Sequence, residues 1–317
     1  MNREQLILQI NKKYGDGSIF KMGKKISEIK VLPTGLLSLD IATGVGGFPR
    51  GRIVEIFGPE ATGKSMLLLS IIAQTQLNGG HCAFIDVEHA LTPSFAELIG
   101  VDINNLYYSQ PNNGAQALSI METLIQSGMF DVVGLDSVAA LITEEELAGE
   151  YTDHHIAPTA KLMSKALKRM TAIISKTQTV AVFINQIREK PMQLWGKKEY
   201  TTGGRALRFY SSLRIEVRKM KGDNPKEGHS LKCTLQKNRL APPFSECELR
   251  LNYRTGIDRL HSLLQIAMQL DVVRQDSSWF YYKDMKWLGI EKMEKELVEN
   301  GKLLDEIHKE IEKKTNG

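Results

Sequence analysis

Residues 52–57, "RIVEIF", form a short apolar run that breaks into "GPEATGKS" and resumes as "MLLLSIIAQTQL" up to residue 77. Six residues rich in isoleucine and valine suit a strand buried on both faces. The twelve that follow have the length of a helix, stopped by Asn78-Gly79-Gly80. Between about 26 and 258 further runs of the first kind, "CAFIDV", "NLYYSQ", "DVVGLDSV", "TVAVFINQ", "SLRIEVRK" and "KCTLQKN", alternate with helical stretches such as "AQALSIMETLIQSG". That alternation predicts an α/β core built on a mostly parallel twisted sheet with helices on both faces.

The flanks differ from this core. Residues 3–14, "REQLILQINKKY", set Leu6, Ile7 and Ile10 on one helical face, and Gly15 and Gly17 end the helix. A lone amphipathic helix cannot bury its stripe, so it must dock on its own core or on a neighbouring subunit. After residue 258, "RLHSLLQIAMQLDVV" reads as helix, "SWFYYKDMKWLG" as a hairpin and "EKMEKELVENGKLLDEIHKEIEKK" as charged helix, a small α+β appendage. The expected organisation is therefore 1–25, an N-terminal oligomerisation helix and strand; 26–258, the core; and 259–317, a C-terminal domain.

With 317 residues, 42% of them hydrophobic, the chain has enough material for a large core, and a net charge of +4 announces no global basic coat. A nucleic-acid signal must then be local. Cys82, Cys233 and Cys247 form no CxxC pair and read as reduced thiols of a cytoplasmic chain. No run approaches the roughly 18–20 apolar residues of a membrane span, and the charged N-terminus is not expected to act as a signal peptide.

"GPEATGKS" itself, Gly58, Pro59, Glu60, Ala61, Thr62, Gly63, Lys64 and Ser65, matches the phosphate-binding loop G-x-x-x-x-G-K-[ST]. The glycines let backbone N–H groups turn onto phosphate oxygens, Lys64 supplies a point charge, Ser65 offers a hydroxyl to Mg²⁺, and the next helix presents its positive end. Asp136 ends the run "DVVGLD", where a carboxylate beside such a loop holds the water shell of the metal. Hydrolysis also needs a group to orient and deprotonate water. Glu88 and Asp86, at and just past the end of "CAFIDV", compete for that role, and strand alternation points them the same way.

At this point the residues resemble a family. "GPEATGKS", "CAFIDVEHAL", "LDSVAAL", "FINQIR" and "TTGGRALRFY" stand in the order and spacing of the bacterial RecA recombinases, from about residue 3 to the C-terminal segment. The resemblance implies a RecA-like ATPase core, with ATP and Mg²⁺ as cofactors. It implies a DNA-dependent ATPase that assembles into a helical filament on single-stranded DNA, pairs it with homologous duplex and exchanges strands. A self-cleaving repressor and loader or mediator proteins are the further partners implied. By the same resemblance Glu88, not Asp86, is the catalytic glutamate, Asp136 is linked to Mg²⁺ through water, and Gln186 senses the γ-phosphate. Phe95 stacks on adenine, and Lys237 and Arg239 reach the ATP of the adjacent protomer, as arginine fingers do in trans.

Two DNA loops are implied, at about 149–157 and 188–204. Ile156 holds the place of an apolar residue inserted between base triplets, and Ser164, Lys168 and Arg169 on the following helix are candidates for the DNA backbone. The adjacent His154-His155 pair has no other ligands near it and does not read as a metal site. The second loop, "REKPMQLWGKKEYTTGG", reads as structureless. Residues 188–221 carry ten Lys and Arg against three Glu, +7, so the rest of the chain sums to −3. Arg188, Lys190, Arg205 and Arg208 thus lie where phosphate binding is expected. Trp195 and Tyr200 offer faces to unstacked bases, and Gly203 and Gly204 allow close approach of backbone to phosphate.

The chain departs from the family in places. Thr92 stands for the usual Asp, so one adenine contact is expected to weaken; Pro191 and Gln193 replace apolar residues of the second loop. The end, "EKKTNG", has no acidic run, and duplex DNA is expected to meet the C-terminal domain directly, with Lys283 and Lys286 as first candidates; both also read as solvated lysines flanking a core. Two rival functions share the motifs: a RecA-like hexameric helicase motor, and a DNA-independent ATP-binding regulatory switch.

Overall fold

The computed structural model describes residues 2–21, 29–148, 158–189, 199–220 and 227–315. The chain divides into two units, up to Lys30 and from Val31 onward. The first holds α1 (Arg3–Tyr14), opened by a capping box in which Asn2 Oδ1 accepts from Gln5 N at 2.8 Å and Gln5 Oε1 from Asn2 N at 3.0 Å. Glu4 in its first turn and Lys12 and Lys13 in its last complement the helix dipole. None of its side chains is buried.

The second unit begins with β1 (Val31–Leu32), α2 (Leu37–Ala42), β2 (Phe48–Pro49), β3 (Ile53–Gly58), α3 (Lys64–Leu77) and β4 (Cys82–Asp86). It continues through α4 (Pro93–Ile99), β5 (Leu106–Ser109), α5 (Gly114–Ser127), β6 (Val132–Asp136), α6 (Glu144–Ala148), α7 (Pro158–Thr177) and β7 (Val180–Glu189). Next come β8 (Glu199–Thr201), α8 (Ala206–Tyr210), β9 (Leu213–Lys219), β10 (Gly228–Asn238), β11 (Glu246–Asn252) and β12 (Gly256–Ile257). The C-terminal elements are α9 (Arg259–Gln269), β13 (Arg274–Asp276), β14 (Trp279–Tyr282), β15 (Met285–Leu288), α10 (Ile290–Glu299) and α11 (Gly301–Thr315).

One sheet orders its strands β12-β11-β10-β9-β3-β7-β6-β4-β5, with β8 paired to β7. From β9 to β5 the pairings are parallel; β9, β10, β11 and β12 pair antiparallel. Burial follows from this division. Every residue of β3, β4 and β6 is buried, as strands covered on both faces must be, whereas β9 and β11 alternate buried and accessible. On one face Leu67, Leu68, Leu69, Ile71 and Ile72 of α3 are fully buried with Leu39 of α2 and Ala96 of α4. Each of those five large side chains contributes roughly 1.5–3 kcal/mol. On the other, Met121 and Ile125 of α5 pack with Leu167 and Met170 of α7 and Leu207 of α8. No helix among the described residues is long and apolar enough to cross a membrane.

The structure corrects two expectations. The C-terminal hairpin is a three-stranded sheet, because β13 pairs with β14. This appendage is tied to the core: the Ser38 and Ser262 hydroxyls lie 2.7 Å apart, and Arg250 Nη2 donates to both Asp258 and Glu294. The segment 188–204 is not structureless throughout. Its flanks form a ladder, Ile187↔Thr201, Arg188↔Tyr200 and Glu189↔Glu199, so extended backbone on both sides finds hydrogen-bond partners. Cys233 and Cys247, register partners on the adjacent strands β10 and β11, are both buried and free, in keeping with reduced thiols.

A charge is buried in the central strand. Glu55 of β3 is wholly inaccessible, and its Oε2 accepts from Arg214 Nε on β9 at 2.5 Å while Oε1 accepts from Asn185 Nδ2 on β7 at 2.9 Å. The Arg214 guanidinium lies 4.3 Å from the Phe57 ring centroid. Removing one partner of such a pair strands the other. Arg214→Met should therefore cost about 3 kcal/mol of stability, whereas Glu55→Met with Arg214→Met should recover at least half of the loss. Urea denaturation followed by far-UV circular dichroism measures both; equal loss in the single and double variants would show that the pair's charge is not what is being balanced.

Candidate nucleotide site and nucleic-acid surface

A cavity of about 460 Å³ opens at the carboxyl ends of the parallel strands. Its wall includes Glu60 to Met66 from the β3–α3 loop, Asp86 and Glu88 from the end of β4, Asp136 from β6, Gln186 from β7, and Phe95 from α4. Open α/β sheets place ligands at this edge because the loops there diverge. The loop conformation is set locally. Ala61 and Gly63 have φ of 54° and 80°, and Gly63 caps α3 in the left-handed region. A side chain on Gly58 would meet the Val217 carbonyl at 2.1 Å, so the strand next door also demands glycine there. Lys64 is buried, and its Nζ donates to the Pro59 carbonyl at 2.6 Å, with the Thr62 hydroxyl donating to the same oxygen at 3.0 Å. Burial holds the Lys64 ammonium below its usual pKa, opposed by the charges of Asp136, Glu88 and Glu60.

Asp136 lies opposite. Burial pushes its carboxyl up to about 7; a hydrogen bond from Ser65 opposes this, the charges of Glu88 and Asp86 add to it, and Lys64 opposes it. A hydroxyl and a buried carboxylate facing one another beside a cationic loop form the donor set a hard divalent cation takes. Glu88 and Asp86 are separated by their partners, and the alternation argument does not reach Glu88, because β4 ends at Asp86. Asp86 Oδ2 accepts from Leu91 N at 3.0 Å and from the Tyr108 hydroxyl at 2.8 Å. Glu88 Oε1 instead accepts from Gln186 Nε2 at 3.0 Å and from the Ser137 hydroxyl. Thr92 does not line the cavity: its hydroxyl accepts from Phe95 N and caps α4.

Lys237 and Arg239 stand apart from this cavity. Lys237 pairs in register with Arg214, which pairs with Glu55, three residues before Gly58. At about 3.3 Å per residue and about 4.8 Å per strand, that places Lys237 roughly 10 Å along the strand direction and two strands to the side of the start of the phosphate loop, toward the amino edge of the sheet. Its Nζ donates to the Arg208 and Phe209 carbonyls at 2.6 and 3.1 Å, and Arg239 Nη2 donates to Phe209 at 2.6 Å.

Of the residues expected on DNA, Ser164 and Lys168 share an exposed groove on α7 with Lys161 and Lys165. The latter two were missed, although spacings of four and three put 161, 165 and 168 on one helical face. Arg169 donates to Glu122 on α5, and Arg188 Nη1 to Glu60 of the phosphate loop at 2.8 Å. Arg205 and Arg208 are exposed at α8, and both Gly203 and Gly204 have positive φ. A side chain at Gly203 would strike Val138, and one at Gly204 Ala160, so packing also excludes larger residues there. The basic tally overstates the free surface: Arg214 is committed to Glu55, and Arg218 to Glu199 and Glu216. Lys283 is likewise held by Glu306 and Glu310, while Lys286 lies over the Trp279 ring. Ile156, Lys190, Pro191, Gln193, Trp195 and the His154-His155 pair lie outside the described residues.

Strand, phosphate loop, helix and the paired acidic groups define a nucleotide-binding P-loop protein. A family model described as the RecA N-terminal domain matches residues 2–258. The chain is 47% identical to Protein RecA of Chlamydia abortus over 315 residues, 97% of this chain and 90% of that one. It is 46% identical to that of Thermus aquaticus over 314 residues, 97% and 92%, and 45% identical to that of Halalkalibacterium halodurans over 313 residues, 97% and 90%. A crystal structure of the RadB recombinase shares the fold, with a TM-score of 0.55 at 21% identity over 72% of this chain and 98% of that one. The chain belongs to the RecA family. It is a recombinase and a DNA-dependent ATPase.

The electrostatics around Lys237 are open to measurement. Burial, then the charges of Arg239 and Arg214, bring its amine down to about 8, with Glu55 opposing. Competitive acetylation across pH 7–10 should therefore show Lys237 titrating near 8, well below the solvated lysines, and Arg239→Gln should raise that midpoint. A midpoint unmoved by Arg239→Gln would mean that the neighbouring charge does not reach it.

Proposed function

We propose that the cavity binds ATP with Mg²⁺ and that its hydrolysis is coupled to strand exchange within a filament on single-stranded DNA. The observation that carries this reading is the bond from Gln186 to Glu88. Gln186 sits near the end of β7, whose continuation enters the basic segment 190–198, and it holds the candidate base directly. A strand that reaches both the reacting water and the DNA-facing loop gives hydrolysis a physical route to depend on DNA.

Each side chain then has a task. The backbone amides of Gly58, Pro59, Glu60, Ala61, Thr62 and Gly63 cradle phosphate oxygens, and Lys64 exchanges its bond to Pro59 for the β and γ phosphates. Ser65 and Asp136 would hold the Mg²⁺, Asp136 through water. The ion supplies positive charge against the phosphate oxygens. Phe95 stacks on the base from α4. Glu88 takes the proton of the attacking water, and Gln186 orients it. Lys237 and Arg239 lie too far from their own loop, so they serve the adjacent protomer's phosphates and make turnover depend on assembly.

Single-stranded DNA lies along α7 and α8, on Ser164, Lys168, Arg169, Arg205 and Arg208, with Arg188 and Lys190 at the root of the second loop. Ile156 and Trp195 contribute apolar and stacking contacts, and Gly203 and Gly204 let backbone approach phosphate. Residues 1–25 serve oligomerisation and residues 259–317 meet duplex DNA. A cytoplasmic setting, a self-cleaving repressor and mediator proteins complete the reading.

ATP turnover measured with and without single-stranded DNA tests it; a rate indifferent to DNA would favour a regulatory switch. Glu88→Gln should keep ATP and DNA binding while turnover drops about a hundredfold or more. Turnover above about a tenth of wild type would remove Glu88 from the role. Lys237→Ala with Arg239→Ala should abolish DNA-stimulated hydrolysis yet spare nucleotide binding by isolated protomers. Mixing that variant with the Glu88→Gln protein should restore part of the turnover, because one of the two orientations of a mixed interface combines an intact glutamate with an intact pair of cations.

A further inference from the structure

The nucleotide cavity has a second wall that the phosphate loop does not explain. Asp86 is only 2% exposed, so its carboxylate must find donors. Neither donor is a cation. One is the Leu91 amide, in the turn that follows Glu88; the other is the hydroxyl of Tyr108, on the edge strand β5. Both bonds fall on the same oxygen, Oδ2.

Tyr108 is placed oddly for a packing residue. It is 43% exposed, and its ring overlaps Phe84 only at a 6.4 Å centroid separation. Its inward-facing contribution is the hydroxyl. Burial and the bond to Asp86 both push the phenol above its ordinary range, so it stays a donor at any working pH.

The segment between these anchors carries the chemistry. Val87 N donates to the Asp136 carbonyl at 2.7 Å, which fixes the near end. His89 takes a positive φ of 55°, and the chain turns through Ala90 to Leu91, where Asp86 fixes the far end. Leu91 and Phe95 both line the cavity and both pack against the core, and Leu91 also lines, with Tyr108, Pro93 and Ala96, a second, small apolar pocket of about 210 Å³. Beside that packing, the shared carboxylate pins the backbone of the turn at Leu91.

We infer that Tyr108 is a positioning residue for the nucleotide base: its hydroxyl, through Asp86, holds the turn at Leu91 and so the approach of α4 and Phe95 to the cavity. The inference rests on the reading that Phe95 stacks on the base. The phosphate loop is anchored separately, by Lys64 and Thr62 on Pro59, so the effect divides between the two ends of the ligand.

Binding of ATP and of inorganic tripolyphosphate to the full chain tests this in wild type, Tyr108→Phe and Phe95→Ala. Tyr108→Phe keeps the ring and removes one hydrogen bond to a charged group. ATP should weaken about five- to tenfold while tripolyphosphate stays within about twofold. In DNA-stimulated turnover the KM for ATP should rise by more than kcat falls. Phe95→Ala should lower the same ATP-to-tripolyphosphate ratio. If Phe95→Ala lowers it and Tyr108→Phe does not, the inference is overturned and the stacking reading stands. Equal weakening of both ligands by Tyr108→Phe would reduce Tyr108 to a structural role and also overturn it. A ratio unchanged by Phe95→Ala removes the stacking reading and this inference with it.

Discussion

Glu55 is the group on which the arrangement of this core turns. A carboxylate with no solvent in the middle strand of a parallel sheet is costly unless its oxygens are matched. Here the matches come from the strands on either side, Arg214 from β9 and Asn185 from β7, so one residue fixes three strands at a common level. Asn185 passes the constraint on: its side chain receives the Thr202 hydroxyl and the Gln186 amide, and it donates to the Thr202 carbonyl. The root of the second loop and the partner of Glu88 are thus positioned from the same buried centre. On the other side Lys237 responds to the charges of Arg214 and Glu55. The phosphate loop begins three residues further along β3.

The cavity is consequently assembled from parts with separate supports. The phosphate end rests on β3, on the turn of Gly63 and on bonds to the Pro59 carbonyl. The acidic centre rests on β6, where Asp136 is deep enough for burial to raise its carboxyl to about 7 and where Ser65 answers it. Glu88 is held from across the cavity by Gln186 and Ser137.

The cations proposed to meet DNA are not all unpaired. Arg188 is paired with Glu60 and Arg218 with Glu199 at accessible positions, where ion pairs contribute little and are readily exchanged, whereas Arg169 and Arg218 also pair with the more buried Glu122 and Glu216. Phosphate can compete for such groups. The lysines of α7 have no need to exchange: Lys161, Lys165 and Lys168 present one exposed face beside Ser164.

The local pattern alone determined the α/β alternation and the phosphate loop, because strand and helix periods and the G-x-x-x-x-G-K-[ST] spacing are short-range properties of the chain. Resemblance added the order of motifs and hence the family. What tertiary structure decided depends on residues distant in sequence. Asp86 and Glu88 stand two residues apart and cannot be told apart by spacing, but one is met by Tyr108 and the other by Gln186. Thr92 was legible as a departure, but not as the cap of α4 outside the cavity's lining. The ladder between β7 and β8 hid inside a loop-like composition because its stability comes from pairing across the gap, not from the propensity of either flank. Glu55, a lone acid in an apolar run, gave no sign of its partners, since a buried charge is tolerated only where the fold brings a donor to it, and both donors lie more than a hundred residues away.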